Sequence, residues 1–208
     1  MKTQASYLSK IKLIFSISSL IIFLLLAASI FSSNWITNLD KKINSKIPML
    51  WNPLLNKIMI YITNIGSELS ILMLSIILSV FFIYKREIKH FYLLSLSIFT
   101  ALASELIIKS LLQRPRPVNS MVYETTFSFP SGHTVMASVL FLIILLYIKN
   151  NIKNKFLKYF LSSTSILIII LIGFSRIYLG AHWPTDVISG FLLGFFWLMF
   201  FLFFIHKK

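Results

Sequence analysis

The sequence predicts an all-α protein, a polytopic membrane bundle of six transmembrane helices. Two observations support this fold class. Of the 208 residues, 57% are hydrophobic and only 12% are charged, whereas soluble domains carry about 25% charged residues. The apolar residues also form long blocks rather than short periodic stripes, and about 20 consecutive apolar residues are enough for one helix to cross a bilayer.

Six blocks reach or approach this length. The first follows three lysines, as a signal peptide would, but its apolar run exceeds the roughly 7–15 residues of a signal core. We therefore expect an uncleaved signal-anchor span. No internal repeat, low-complexity linker or charge block marks a second domain, so we expect one integral membrane domain over residues 1–208. The predicted spans cover residues 11–31, 67–84, 91–112, 134–149, 156–177 and 185–205.

The basic residues predict how these spans are oriented. The net charge of +14 indicates, in a membrane protein, basic loops that meet anionic headgroups rather than a nucleic-acid partner. An even number of spans places both termini on one side, and the 20 Lys and Arg residues divide 12 to 8 in favour of that side. We expect a multi-pass protein of the plasma membrane with cytoplasmic termini. Four basic residues on the outer side lie at span ends and need another explanation: Lys109, Arg114, Arg116 and Arg176.

Three polar clusters occupy the span ends on that outer side. "KSLLQRPRP" closes the third span, "PSGH" (130–133) opens the fourth, and "SRIYLGAHWPTD" connects the fifth to the sixth. A helical bundle brings these ends to one aqueous boundary. The three clusters are therefore expected to form one site, with residues 109–186 as its core.

The residue types in these clusters suit a phosphate group. Lys109, Arg116 and Arg176 supply three cations, and the planar fork of arginine matches phosphate oxygens. Ser131 and Gly132 lie at a predicted helix start, where free N–H groups and the helix dipole favour an anion. The six carboxylates of the chain are not clustered, which leaves no evident ligand set for a metal ion. We expect neither a metal nor another cofactor.

Two histidines and an aspartate complete the predicted site. One imidazole of the pair His133 and His182 can attack phosphorus while the other protonates the departing oxygen. Asp186, four residues after His182, can hold that ring in the attacking tautomer. A lone histidine at a span end is usually an interfacial side chain, and a lone PSGH is usually a helix cap. The three clusters together, in order and on one face, indicate catalysis instead.

Three glutamates lie near these clusters. Glu105 is one helical turn before Lys109, which favours a structural ion pair over a role in tuning the lysine. Glu124, in the loop before PSGH, is a candidate contact for a substrate headgroup. Glu68 receives no role from the sequence.

These motifs resemble the three signatures of the type 2 phosphatidic acid phosphatase family, which shares its site with vanadium haloperoxidases. The resemblance implies that His182 is the nucleophile, that Asp186 orients it, and that His133 protonates the leaving group. It also implies a metal-free reaction in which the other matched residues bind phosphate. The matching positions are K-x6-R-P (Lys109, Arg116, Pro117), P-S-G-H (Pro130, Ser131, Gly132, His133) and S-R-x5-H-x3-D (Ser175, Arg176, His182, Asp186).

Three functions stay open from the sequence. The leading one is hydrolysis of a lipid phosphate at the outer leaflet, on a phosphatidylglycerophosphate or phosphatidic acid type of headgroup. A second keeps the chemistry but uses undecaprenyl diphosphate, or transfers the phosphate to another acceptor. A third is a non-catalytic phospholipid-binding or transport protein, which is disfavoured because the polar residues gather at one face rather than along a path. The sequence indicates no oligomeric state.

Overall fold

The computed structural model is helical over most of the residues it describes, 2–205, and no β-strand occurs in that range. The structure does not describe Met1, residues 206–208 or the side chains of residues 2–6 and 8. The side chains of three basic residues predicted to lie on the cytoplasmic side belong to this undescribed part: those of Lys2, Lys207 and Lys208. The all-α class is confirmed. In chain order the elements are α1 (Lys2–Ser32), α2 (Asn34–Asn44), a short 3-10 helix (Ile47–Leu50), α3 (Pro53–Ile65), α4 (Glu68–Tyr84), α5 (Ile88–Leu112), α6 (Gly132–Asn151), α7 (Lys155–Tyr178) and α8 (Pro184–Ile205).

Five of the six predicted spans are confirmed within residues 2–205. They correspond to α1 from Ser9 onward, α5, α6, α7 and α8, each long and apolar enough to cross a bilayer. The second span differs from the prediction. Helix α4 has only 17 residues, and it reaches membrane length together with α3, to which it is joined at a bend of 47°. The prediction missed α3 because Asn56, Lys57 and Asn64 interrupt its apolar residues.

Helix α6 forms the centre of the bundle. Nearly every residue from Gly132 to Phe141 is buried, and α6 contacts α4, α5, α7 and α8. Gly190 and Gly194 of α8 face α6. A Cβ at position 190 would lie 2.8 Å from the carbonyl oxygen of Ser131, the N-cap of α6, and a Cβ at position 194 would lie 2.7 Å from that of Val135. Glycines four residues apart let two membrane helices approach this closely. The start of α8 is therefore held tightly against the start of α6.

Helix α1 packs along α8 and closes the bundle. The Ser16 hydroxyl donates to the Phe196 carbonyl at 3.3 Å, and the Ser19 hydroxyl donates to the Leu192 carbonyl at 2.7 Å. Beyond α1, the segment between the first two predicted spans is mostly helical. It contains α2, the 3-10 helix and α3, and α2 buries Asp40 and Asn44. These elements bring polar side chains of the N-terminal third of the chain to the same end of the bundle as the predicted motifs.

Candidate active site

The three predicted clusters meet at one end of the bundle. Helices α5 and α7 end there, with Lys109 and Arg176 in their last turns, and α6 and α8 begin there because they run in the opposite direction. The turn between α7 and α8 carries His182. This turn requires glycine at position 180 for two reasons. The φ angle of Gly180 is +67°, a conformation that other residues rarely adopt. A Cβ at this position would also lie only 1.9 Å from the Asn119 carbonyl oxygen.

His182 is buried and held in a single tautomer. Its Nδ1 lies 2.7 Å from the Ser128 carbonyl oxygen, and because a carbonyl can only accept, Nδ1 carries the proton. Its Nε2 lies 3.2 Å from an amino nitrogen of the Arg116 guanidinium, which can only donate. The lone pair of Nε2 therefore points towards the cationic side chains of the site.

The structure gives Asp186 a different set of partners from the one expected. Its Oδ2 lies 3.5 Å from His182 Nδ1, well beyond the distance to the Ser128 carbonyl. Asp186 Oδ2 instead accepts from the Trp183 N–H at 2.9 Å, and Oδ1 accepts from Arg114 at 2.5 Å. The tautomer of His182 is thus set first by the loop carbonyl, and the Asp186 carboxyl group lies behind the ring as a second, more distant partner of Nδ1.

A buried network supports Asp186 from behind. The Arg114 guanidinium binds Asp186 through one amino group and Asp40 of α2 through the other, at 2.7 Å. Thr185 completes it: its hydroxyl accepts from Arg114 at 2.8 Å and donates to Asp40, while its N–H donates to Asp40 at 3.1 Å. Side-chain exposure of Arg114, Asp40 and Asp186 is 6% or less. Two carboxylates therefore share one arginine directly behind the His182 turn.

The two predicted phosphate-binding arginines are held differently. Arg116 donates to the backbone carbonyls of Thr126, Ala181 and Phe127 at 2.6, 2.8 and 3.3 Å, which fixes the plane of its guanidinium. Arg176 donates to Thr63 at 2.7 Å and pairs with Glu124. Its Nε is buried and has no hydrogen-bond partner among the described residues. The described residues therefore leave this donor unsatisfied.

Two glutamates lie close to Lys109 and Gly132. Lys109 Nζ lies 2.5 Å from Glu105 Oε1, which confirms the predicted ion pair. A Cβ on Gly132 would lie 2.7 Å from that Glu105 oxygen and 3.1 Å from Glu68 Oε1. Glycine at position 132 therefore leaves room for two carboxylates against the start of α6, and Glu68, which the sequence analysis left without a role, belongs to the site.

The start of α6 presents the other predicted groups. Ser131 is the N-cap, but its hydroxyl accepts from Thr134 at 3.0 Å and does not cap the helix. The first-turn N–H groups of Gly132 and His133 have no intrahelical acceptors, so they can meet an anion. The His133 side chain is half-buried and forms no hydrogen bond to another described residue.

The electrostatic surroundings keep His182 neutral. Burial lowers the pKa of its imidazole well below the usual range, and the positive charges of Arg176, Arg116 and Lys109 lower it further. Burial also lowers the pKa of the Arg116 guanidinium, against the opposing effect of Glu124, yet an arginine stays charged throughout the working range of proteins. The site thus combines a neutral imidazole with permanent cations.

Residues 89–208 match the family model of the PAP2 superfamily. The chain belongs to this superfamily. The resemblance recognised from the three motifs is confirmed.

Two relatives and two solved structures show how far the PAP2 similarity extends. Phosphatidylglycerophosphatase B of Bacillus subtilis is 32% identical over 189 residues, which covers 88% of this chain and 91% of the relative. An undecaprenyl-diphosphatase of Sulfolobus acidocaldarius is 29% identical over 147 residues, covering 67% and 66%. The crystal structure of the transmembrane PAP2 type phosphatidylglycerolphosphate phosphatase of Bacillus subtilis superposes with a TM-score of 0.84 at 31% identity, covering 92% and 96%. Aquifex aeolicus LpxE superposes with a TM-score of 0.63 at 27% identity, covering 81% and 94%.

Several residues around the PAP2 motifs were missed or left without a role by the sequence analysis. Arg114 lies between two motif residues and was noted only as a basic residue that needed an explanation. Asp40, Thr63 and Glu68 come from residues 1–88, before the segment that matches the PAP2 model. Asp40 could have been singled out by its chemistry. It is one of only six acidic residues in a strongly basic membrane protein, and a carboxylate buried in a membrane protein requires a cationic partner.

Proposed function

We propose that this protein is a membrane-embedded lipid phosphatase that hydrolyses the phosphate of a headgroup of the phosphatidylglycerophosphate or phosphatidic acid type, through a phosphohistidine at His182 and without a metal ion. One observation carries the proposal: the unprotonated Nε2 of His182 points into a cluster of cations. The proposal is further supported by the Bacillus subtilis relative, which is named a phosphatidylglycerophosphatase and shares most of the chain length.

The first chemical step forms the phosphohistidine. The Nε2 lone pair attacks phosphorus, and the bond between phosphorus and the lipid oxygen breaks. His133, which takes up a proton when the anionic phosphate binds beside it, gives that proton to the lipid oxygen, which leaves as the lipid alcohol. Arg116, Lys109, the free Nε of Arg176 and the N–H groups at the start of α6 neutralise the equatorial oxygens.

The second step releases the phosphate. Water attacks phosphorus, neutral His133 takes a proton from that water, and the N–P bond breaks with its electron pair returning to Nε2 of His182. Inorganic phosphate leaves, and both histidines are ready for another turnover. The cations supply the charge neutralisation that a metal ion provides in other phosphatases, which supports a metal-independent reaction.

The proposal includes the location of the enzyme and its organisation. The whole chain, residues 1–208, acts as one domain of the plasma membrane, with cytoplasmic termini and the active site at the outer face. The division of Lys and Arg residues supports this orientation. The contribution of Asp40, Thr63 and Glu68 to the site supports a single unit, because these residues precede the motif region.

A second candidate substrate is undecaprenyl diphosphate. The similarity to the Sulfolobus undecaprenyl-diphosphatase favours it, and the same cradle accepts a terminal phosphate whose leaving group is a second phosphate. Transfer of the phosphate from His182 to another alcohol is a further variant of the same chemistry, in which the alcohol replaces water in the second step.

Phosphate release by the purified protein in detergent with EDTA tests the proposal. Phosphatidylglycerophosphate, phosphatidic acid and undecaprenyl diphosphate are compared in parallel, with His182→Ala as the blank. We expect release that survives EDTA and disappears in the variant, and the preferred lipid identifies the substrate class. Release from none of them by a folded protein rejects the proposal and favours lipid binding, whereas release that EDTA abolishes rejects the metal-free mechanism.

The role of His133 is tested by the leaving group. His133→Ala should slow hydrolysis of a lipid phosphate far more than that of an activated aryl phosphate, since an aryl oxide leaves without a proton. Equal loss on both substrates would show that His133 is not the acid.

A further inference from the structure

A second charged cavity lies at the end of the bundle opposite the active site. It has a volume of about 260 Å³ and is formed by the start of α5, the end of α6, the end of α8 and a lysine of α1. Its polar lining consists of Lys12, Glu87, Lys89, His90 and Asn150, and aliphatic side chains complete the wall. None of these residues takes part in the site described above.

The cavity carries excess positive charge. Glu87 is partnered within the wall, because its carboxylate lies 3.1 Å from His90 Nδ1, and the His90 ring is itself held between Phe82 and Tyr147 at centroid distances of 5.4 Å. Lys12 and Lys89 form no ion pair with any described residue. Two cations therefore face one carboxylate that is already engaged, in a cavity whose remaining wall is apolar.

We propose that this cavity binds the headgroup of an anionic phospholipid through its phosphodiester. Lys12 and Lys89 contact the phosphate oxygens, Asn150 contacts the hydroxyl or ester oxygens, and the aliphatic wall contacts the glycerol backbone. One negative charge on the ligand balances the net charge of the lining. Basic pockets between membrane helices on the cytoplasmic side are a recurrent way to hold such headgroups.

The position of the cavity links it to the bundle as a whole. Its walls belong to α1, α5, α6 and α8, and the far ends of α5 and α6 carry Lys109 and His133. A bound lipid would hold these four helix ends together and stabilise the folded protein according to its concentration. The leaflet that supplies the lipid follows from the proposed topology, but binding itself does not depend on it.

Lipid titration of the purified full-length protein in a non-ionic detergent tests this proposal. Binding of phosphatidylglycerol is followed by native mass spectrometry and by the shift in melting temperature, with phosphatidylcholine and inorganic phosphate as parallel ligands. The double variant Lys12→Gln/Lys89→Gln is compared with Lys10→Gln/Lys153→Gln, which removes two exposed lysines from the same face of the membrane and leaves the cavity intact. The single variant Lys89→Gln, at an exposed side chain, gives the same information if the double variant does not fold.

We expect each cavity lysine to contribute about fivefold to the affinity for phosphatidylglycerol, hence about 25-fold weaker binding in the double variant. The control variant should bind as the wild type does. Equal weakening in both double variants, or equally tight binding of phosphatidylcholine, would overturn the proposal. Binding of inorganic phosphate as tight as that of the lipid would reduce the cavity to a general anion site and overturn it as well.

This outcome is separable from that of the proposed function. Phosphate release by Lys12→Gln/Lys89→Gln should stay within about twofold of the wild type at saturating substrate, because its distant active site is unaltered. If the wild-type protein releases no phosphate from any lipid, the proposed function fails, while the lipid titration still decides whether the cavity binds an anionic headgroup.

Discussion

Replacing Asp40 by asparagine probes the buried network behind Asp186. In the structure Asp40 only accepts hydrogen bonds: from Arg114 at 2.7 Å, from the Thr185 N–H at 3.1 Å and from the Thr185 hydroxyl. Asparagine has nearly the same volume, but one of its two terminal atoms is an amide donor. In either orientation that donor faces another donor, and the charge opposite Arg114 is lost.

The expected cost follows from the burial of the pair. Removing one partner of a buried ion pair costs about 3–5 kcal/mol. Arg114 keeps its contact with Asp186 at 2.5 Å, so we expect the lower end, about 3 kcal/mol of stability. Asp186 and the His182 turn would then be misplaced. If this misplacement raises the activation free energy by about half of that amount, kcat falls about tenfold.

Thermal unfolding in detergent and steady-state phosphate release measure the two effects. Asp40→Asn should melt at a markedly lower temperature and show the lower kcat at a nearly unchanged KM, because the cations proposed to bind phosphate are not altered. Lys42→Gln serves as the control, since it removes a charge from an exposed position of the same helix α2. Wild-type melting and wild-type kcat in Asp40→Asn would refute the inference that this network positions the site.

Three further predictions concern the site itself. Burial and neighbouring cations lower the pKa of His182, so its imidazole stays neutral as the pH falls through about 6.5. In the pH profile of kcat/KM, the loss of activity caused by protonation of His182 should therefore occur below that pH. A loss at or above it would contradict the assignment of His182 as the nucleophile. Arg176→Lys removes the fork that contacts Thr63 and Glu124 and the free Nε, so kcat/KM for a lipid phosphate should fall at least about tenfold; retention of wild-type kcat/KM would exclude Arg176 from phosphate binding. Gly132→Ala places a Cβ 2.7 Å from Glu105 and 3.1 Å from Glu68, so thermal unfolding should show a destabilisation of about 1–3 kcal/mol. Vanadate should also inhibit this variant more weakly. An unchanged melting temperature and unchanged inhibition would show that the start of α6 has room to adjust.

The sequence predicted the parts of the fold and site that depend on local patterns. Long apolar blocks identified five spans because crossing a bilayer imposes a length on each helix. The motif residues were found because their spacing places them at span ends, and the Glu105–Lys109 ion pair was found because residues four apart share one helix face.

The remainder depends on tertiary contacts that leave no local pattern. Helix α3 is apolar only in part, and its junction with α4 follows from packing of Gly66 against Ile172 of α7. The Ser128 carbonyl that fixes the His182 tautomer is a backbone atom, so no residue type reveals it. Asp40 and Arg114 are 74 positions apart, and only the folded chain shows that they share a network with Asp186.

The close packing of α1 on α8 has a consequence for when the protein becomes active. The first and last spans are joined through Ser16 and Ser19, and Asp40, which follows the first span, supports the aspartate at the start of the last. A chain still emerging from the ribosome has its N-terminal helices in the membrane but lacks their final neighbour. His182, the proposed nucleophile, is therefore expected to reach its working geometry only after α8 has been synthesised, so that chains terminated before α8 should be inert rather than partly active.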